Sequence, residues 1–278
     1  MNISMLVFVL FSMFGMGLAL TVGEIVAPFK RIKLVGFALL SNFVVIPVLT
    51  YTISLWLELD KSLFAGLMIL ACCAGAPFLP ALTTLAGGSL AFGVGLMTLL
   101  ILVTIIYAPI VIPLAIPGVT INSWSIASPL IGYMLLPIII GLIIKALWPG
   151  LAGLLRPFAV NISRISLFIL AVLVLLMAFP SFVKAYGTGV YNATAIFVFG
   201  SFLVGYFFSG LKTADRYVMA LGAGLRNVTA ALLIAATNFS DKNVITVVLI
   251  GNVIGVIILF SAAGLFRKFS TPQISNQS

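Results

Sequence analysis

The sequence has little charge and very few acids. Only 7% of its 278 residues are Asp, Glu, Lys or Arg; five residues are acidic and none is histidine. Soluble globular domains carry about 25% charged residues. The composition therefore excludes a water-soluble fold and identifies an integral membrane protein.

Side chains for metal binding and catalysis are scarce as well. The two cysteines, Cys72 and Cys73, are adjacent and lie in an apolar run, which favours a role as small packing residues. Metal sites need spaced ligands and usually histidine. An enzyme acting in the bilayer would need a nucleophile with a base, or paired acids, near the midplane. We therefore expect no metal, no catalytic residue and no enzyme activity. The absence of an ATP-binding motif argues against primary active transport.

Long apolar runs make up most of the chain. Hydrophobic residues account for 63% of the sequence and its mean hydropathy is +1.34, while a membrane-spanning helix needs about 20 apolar residues. The predicted fold is an all-α polytopic membrane protein with a single transmembrane domain, residues 1–269, and a cytoplasmic tail, residues 270–278. Its first apolar run lacks a charged leader and is interpreted as a span. The nine predicted transmembrane helices are Ile3–Leu20, Leu34–Leu57, Ser62–Ala86, Leu90–Ile116, Trp124–Leu147, Pro157–Phe179, Val190–Ser209, Ala214–Asn238 and Val244–Phe266.

Basic residues are distributed unevenly between the two sets of predicted turns. The richer set is Lys30, Arg31, Lys33, Lys145, Arg156, Arg164, Lys212, Arg216, Arg267 and Lys268, and the poorer set is Lys61, Lys184 and Lys242. The positive-inside rule places the richer set in the cytoplasm, with the N-terminus outside and the C-terminus inside. This bias accounts for the net charge of +9 without a nucleic-acid partner. We predict a multi-pass protein of a bacterial cytoplasmic membrane, surrounded by the lipid bilayer; its oligomeric state stays open.

Two predicted spans contain helix-breaking residues near their middle. Gly75, Pro77 and Pro80 interrupt the third span, since each proline removes a backbone donor and clashes with the preceding turn. Gly222 and Gly224 weaken the eighth span by roughly 1 kcal/mol each relative to alanine. The third and eighth spans are five apart, an odd number, so a five-helix repeat would relate them by inversion across the membrane. Two broken helices at corresponding positions are typical of a transport site between inverted repeats.

Arg226 lies near the midpoint of the eighth span. An arginine at the bilayer centre costs roughly 2.5–3.5 kcal/mol, so it normally faces a polar interior or a cavity. Its guanidinium suits carboxylates and phosphates. We expect a substrate site formed by Arg226, Asn227 and Thr229 together with Pro77 and Phe78. The alternative is a structural role, in which Arg226 caps carbonyl groups freed by the other broken helix.

Three short segments resemble those of a known family. They are Phe14–Leu20 (Phe-Gly-Met-Gly-Leu-Ala-Leu), Asn42–Pro47 (Asn-Phe-Val-Val-Ile-Pro) and Cys72–Gly75 (Cys-Cys-Ala-Gly). Their order and spacing resemble the bile acid:sodium symporter family over nearly the whole chain, in a nine-helix form. The resemblance implies a panel domain beside a core domain, with two broken helices that cross at the centre. It adds Asn42, at a position where the family has Gln, to the candidate substrate contacts; an interhelical hydrogen bond is an equally good interpretation of Asn42.

The chain departs from this family where the resemblance implies sodium ligands. Leu79 and Pro80 stand where the family has Ser and Asn, and Gly222 and Arg226 stand where it has Glu and Gln. No cofactor is expected other than a coupling sodium ion, and a guanidinium close to that ion would repel it strongly at low dielectric. The remaining candidate sodium ligands are Thr83, Thr84, Thr98 and Asn227.

The sequence thus predicts a secondary transporter of the bile acid:sodium symporter type that moves a small organic anion by alternating access. Sodium coupling would then rest on the few oxygen ligands that remain. The alternative is a sodium-independent anion carrier or exchanger, in which Arg226 replaces the charge of the sodium ion. A non-transporting receptor or scaffold is a third class, but it would give two broken helices no role.

Overall fold

The computed structural model describes residues 3–21, 23, 32–116, 122–209 and 213–269. It is nearly all helical, with 87% helix and no strand among the residues it describes, because backbone groups in lipid must be satisfied within their own segment. Its helices are α1 (Ile3–Ala19), α2 (Ile32–Trp56), α3 (Lys61–Cys72), α4 (Leu79–Leu85), α5 (Leu90–Ala115), α6 (Ser123–Leu147), α7 (Pro149–Lys184), α8 (Val190–Phe208), α9 (Thr213–Gly224), α10 (Val228–Asn238) and α11 (Lys242–Phe269).

Six of these helices, α2, α5, α6, α7, α8 and α11, are long and apolar enough to cross a membrane, and α1, α3 and α10 are shorter apolar helices. The predicted third and eighth spans are each divided into two half-helices, α3 with α4 and α9 with α10. The predicted start of the sixth span at Pro157 is wrong, because α7 begins at Pro149 and continues through Arg156. A single arginine does not end a helix near the membrane surface, since its long stem lets the charge reach water.

The two long helices α2 and α6 each contain one wide π-helical turn, at Ser41–Val45 and Ile131–Leu135. A proline, Pro47 or Pro137, follows each turn closely. Because proline has no N–H, Pro47 leaves the carbonyl of Phe43 without its usual helical donor. The hydroxyl of Tyr107 on α5 donates to that carbonyl at 2.5 Å, so a neighbouring helix supplies the hydrogen bond that the carbonyl lacks within α2.

The helices α1, α6 and α7 pack mainly against one another. Gly17 on α1 and Gly141 on α6 allow the closest approach. A Cβ at Gly17 would overlap the carbonyl oxygen of Ile138, and one at Gly141 would lie 2.7 Å from the carbonyl oxygen of Phe14. Small residues that bring two backbones together are typical of helix packing in membranes.

Gly17→Ala should therefore lower the stability of the protein. Overpacking a tight contact costs roughly 1–3 kcal/mol, so we expect a fall of several degrees in the apparent melting temperature of the purified protein. Gly36→Ala is the matched control, because Gly36 is also helical and its Cβ would meet nothing within 4 Å. Equal melting temperatures for the two variants would contradict this account of the α1–α6 contact.

The remaining helices form a second group, in which α11 packs along α3 and α8, and α8 packs along α9. One residue of the poorer basic set, Lys242, begins α11, and two of the richer set, Arg267 and Lys268, lie in its last turn. Near the Arg267 end, the rings of Tyr217 on α9 and Phe266 on α11 stack with centroids 3.8 Å apart. Lys30, Arg31, Lys212 and the predicted tail lie outside the described residues.

Candidate functional site

The two breaks contact each other in the interior of the protein. Residues 73–78 separate α3 from α4, and residues 225–227 separate α9 from α10. The breaks pair as an isolated antiparallel bridge between Ala74 and Arg226, and the N–H of Asn227 donates to the carbonyl of Cys73 at 2.8 Å. Each break thus supplies hydrogen-bond partners that the other lacks.

Local sequence explains the first break. Gly75 has φ +81°, a left-handed conformation that costs other residues roughly 1–2 kcal/mol, and Pro77 lies within the break. Pro80, predicted as part of the interruption, is instead the second residue of α4, where its missing N–H would be unpaired anyway. The hydroxyl of Thr104 on α5 clamps this break, since it accepts from the N–H of Ala74 and donates to the carbonyl of Ala74, both at 3.1 Å.

Gly222 and Gly224 do not form the second break. Both belong to α9, which ends at Gly224, and the chain leaves the helix at Leu225. Gly222 instead provides space, because a Cβ there would lie 2.9 Å from a methyl of Leu96 and 3.2 Å from one of Leu79. The expectation that glycine flexibility opens the helix at Gly222 is thus replaced by a packing requirement.

Arg226 connects both breaks and the π turn of α2. Its guanidinium donates to the carbonyl of Ala71 at 3.3 Å, to the carbonyl of Ala223, and to Oδ1 of Asn42 at 3.2 Å. It also lies over the ring of Phe197, 5.9 Å from the centroid, a cation–π distance. The Nε–H has no partner among the described residues.

The surroundings of this guanidinium attract positive charge without neutralising it. Ala71 and Ala223 lie in the last turns of α3 and α9, and helix C-termini carry partial negative charge. Asn42 and Phe197 are uncharged. The described acids lie at or beyond the ends of the half-helices that are away from the breaks: Glu58, Asp60, Asp215 and Asp241. Arg226, only 5% exposed, is therefore a buried cation held by neutral dipoles, with no described carboxylate beside it.

A cavity of about 350 Å³ lies against the two breaks. On one side it is bounded by α1 and α7, which belong to the group formed by α1, α6 and α7. On the other side it is bounded by the two breaks and by α10 and α11 of the second group. Its lining is apolar apart from Arg226, Thr229 and Asn252. The lining residues are Met5, Phe8, Ala76, Pro77, Phe78, Leu167, Leu170, Leu225, Arg226, Val228, Thr229, Leu232, Leu249, Asn252, Val256 and Phe260. A mostly apolar cavity of this size with few polar groups is typical of a small-molecule site.

The predicted substrate contacts divide into two groups. Arg226, Thr229, Pro77 and Phe78 line the cavity. Asn42 is not part of the cavity lining: its Oδ1 accepts from the guanidinium of Arg226, and its Nδ2 donates to the carbonyl of Ala38 in the same helix at 2.9 Å. Asn227 is fully buried and caps α10 by accepting from the N–H of Ala230 at 3.1 Å. Asn42 and Asn227 thus support the cation and the half-helix from outside the cavity lining.

Asn252 is a cavity residue that the sequence analysis misses. It lies in the middle of α11, a long apolar helix, and lines the cavity together with Arg226. A polar side chain at membrane depth is itself a signal of function. No break marks the helix of Asn252, whereas the predicted substrate site is centred on the two broken spans.

The predicted sodium ligands are not gathered at this cavity. The hydroxyls of Thr83, Thr84 and Thr98 each donate to the carbonyl four residues earlier in their own helix. None of the three lines the cavity. Gly222 stands where the resemblance implies a sodium-binding Glu. The space beside it is filled by the methyls of Leu79 and Leu96, and methyl groups do not coordinate sodium.

Two broken helices paired at their breaks, a buried cation and an adjoining cavity within a bundle of apolar helices are features of a membrane transporter. The family model of the Sodium Bile acid symporter family matches residues 6–184, more than half of the chain. The chain belongs to this family, which confirms the resemblance seen in its sequence, and it is a multi-pass membrane protein of a transporter family.

Curated relatives agree with this assignment. Over 269 residues the chain is 22% identical to the probable sodium/metabolite cotransporter BASS1, chloroplastic, of Arabidopsis thaliana, a match that covers 95% of this chain and 67% of that protein. Over 244 residues it is 24% identical to the probable sodium/metabolite cotransporter BASS6, chloroplastic, of the same plant, covering 83% and 60%. The chain thus spans about two thirds or less of the length of these relatives.

Proposed function

We propose that this protein is a secondary transporter that moves a small organic anion by alternating access. The observation that carries the proposal is the buried, unneutralised guanidinium of Arg226 at the edge of a 350 Å³ cavity. A charge buried in low dielectric is normally paired. A carboxylate or sulfonate entering the cavity would supply the missing negative charge, and the apolar walls would bind its hydrocarbon part.

Family membership supports transport over the other classes. An enzyme would need a nucleophile with a base, or paired acids, beside the cavity. The polar residues that line the cavity are Arg226, Thr229 and Asn252. They can bind and orient a substrate, but they form no such catalytic pair. A receptor or scaffold gives no reason for two half-helix pairs to cross at a buried cation.

Sodium coupling is the finer question within this function. The relatives' names describe sodium/metabolite cotransporters. In this chain the guanidinium of Arg226 already lies where the C-termini of α3 and α9 converge, a place where transporters hold their coupling cations. We therefore favour a sodium-independent anion carrier in which Arg226 supplies a permanent positive charge. Sodium symport through Thr83, Thr84, Thr98 and Asn227 is the competing proposal.

The finer architecture and location are part of the same proposal. We propose an inverted repeat of nine spans, in which α1, α6 and α7 are the panel and the other helices are the core. The antiparallel pairing of the two breaks supports the inverted relation of the third and eighth spans. The placement of Lys242 and Arg267 at opposite ends of α11 supports an outside N-terminus and a cytoplasmic C-terminus. We propose a bacterial cytoplasmic membrane as the location, although the relatives above are named as chloroplastic.

Thermal stability of the purified protein tests both the anion and the sodium statements. A ligand that binds only the folded state raises stability by RT ln(1 + [L]/Kd), about 2.7 kcal/mol at 100 times Kd. We expect a saturable rise with aromatic and aliphatic carboxylates or sulfonates, no rise with the matching neutral amides, and equal stability in isosmotic sodium, potassium and choline.

Each opposite result has a definite meaning. A sodium-specific, saturable rise would show that coupling survives through neutral oxygens and would overturn the sodium-independent carrier. Equal stabilisation by acids and their neutral amides would contradict an anion site at Arg226. Sodium and choline are matched in charge, so a difference between them reports specific coordination rather than ionic strength.

A further inference from the structure

The charge of Arg226 has a consequence for the empty carrier. Alternating access requires the cavity to close on one side before it opens on the other, so the cation must pass through a closed state. Its described partners are two carbonyls, one amide oxygen and an aromatic ring, all of them neutral. The site of the empty carrier therefore keeps a net positive charge through its closed state.

No other described group can remove that charge. Arginine stays protonated in proteins, the sequence has no histidine, and the described acids lie at helix ends. Nor does the space around Gly222 offer a second ion site, because Leu79 and Leu96 fill it. The substrate anion is the neutralising group that remains.

A bound monovalent anion changes both the free energy of closing the cavity and the dependence of closure on the membrane potential. An unpaired buried charge is strongly unfavourable relative to a pair, so the loaded carrier closes more easily than the empty one. The loaded site also has no net charge and does not sense the membrane potential, whereas an empty site with one positive charge does. We therefore expect reorientation of the loaded carrier to be fast and electroneutral, and reorientation of the empty carrier to be slow and dependent on voltage.

We propose that this protein is an obligatory anion exchanger, which swaps one monovalent organic anion for another across the membrane and does not catalyse net uptake. This inference rests on the proposed function and goes beyond it, because an anion carrier with a neutral site would also allow net flux. The fixed charge of Arg226 is the element that enforces exchange.

Proteoliposomes provide the test, with labelled naphthalene-1-sulfonate as the probe. A sulfonate stays ionised, so it does not leak through lipid as a neutral acid, and its ring system suits the apolar cavity. The vesicles contain either unlabelled naphthalene-1-sulfonate, chloride, or gluconate as a large polar anion. We expect initial uptake with internal naphthalene-1-sulfonate to exceed uptake with internal gluconate about tenfold or more, as breaking a buried charge pair implies. A valinomycin-induced potassium potential should leave this exchange unchanged and alter the residual net uptake.

Three outcomes separate exchange from the function on which it rests. Equal uptake with internal naphthalene-1-sulfonate and internal gluconate would overturn exchange while the anion transporter stands. Saturable uptake in no vesicle type would overturn the transporter and exchange together. Stimulation by internal chloride as strong as that by the probe would keep exchange and identify chloride as a second accepted anion.

Variants test the assignment of exchange to Arg226. In Arg226→Gln, measured at saturating probe, the ratio of uptake with and without internal anion should fall towards about one, because the empty site no longer carries a charge. Lys61→Gln is the control, since it removes a positive charge at the exposed start of α3 and should keep the ratio of the unmodified protein. An unchanged ratio in Arg226→Gln would contradict the proposal.

Discussion

Arg226→Gln is expected to weaken the binding of an organic anion by about 10- to 150-fold. Losing a hydrogen bond to a charged group costs roughly 1.5–3 kcal/mol, and each 1.4 kcal/mol is about tenfold in affinity. Glutamine keeps an amide that can donate to the carbonyl of Ala71 or Ala223, so part of the local hydrogen bonding is retained while the charge is removed. The measurement is the concentration of anion that gives half of the maximal rise in melting temperature.

Arg226→Lys separates charge from geometry. Lysine retains the positive charge but not the planar fork that reaches Asn42 and two helix ends at once. We expect its anion affinity to lie between those of the unmodified protein and Arg226→Gln. If both variants lose basal stability and keep the anion affinity of the unmodified protein, Arg226 is a structural cap of the two half-helices and the anion site lies elsewhere.

Gly75→Ala is expected to cause the second large effect, a loss of both stability and anion binding. A Cβ at Gly75 would lie 2.5 Å from the backbone nitrogen of Ile101 and 2.8 Å from the carbonyl carbon of Leu100, and backbone atoms of α5 cannot rotate away. Left-handed strain of roughly 1–2 kcal/mol adds to the clash. The break must then move away from α5. That movement removes the hydrogen bonds of Thr104 to Ala74 and displaces Ala74, which pairs with the backbone of Arg226.

Gly187→Ala is the matched control for Gly75→Ala. Gly187 has φ +87°, close to the +81° of Gly75, and a Cβ there would meet nothing within 4 Å. Both variants thus suffer the same kind of backbone strain, and the difference between their melting temperatures isolates the clash with α5. A Gly75→Ala protein as stable as Gly187→Ala, with normal anion binding, would show that α5 does not hold the first break in place.

The sequence by itself determines much of this protein. Apolar length and scarce charge predict a helical membrane protein, because a helix satisfies its backbone within the segment and both quantities can be read from consecutive residues. The location of the breaks near Pro77 and Arg226, and membership of the family, follow from local motifs in the same way. Span boundaries are less certain where a basic residue such as Arg156 lies inside a helix.

The tertiary structure alone decided what the polar residues do. Arg226 and Asn42 are far apart in the chain, and so are Ala74 and Thr104; nothing local specifies that they meet. The sequence predicts a weak point of the helix at Gly222, whereas the structure shows a packing position next to Leu79 and Leu96 of other helices. Asn252 lines the cavity because the packing of α11 against other helices places it next to Arg226. Hydrogen bonding within a helix is local and readable from sequence, whereas a cavity is formed by side chains that only the packing of distant helices brings together.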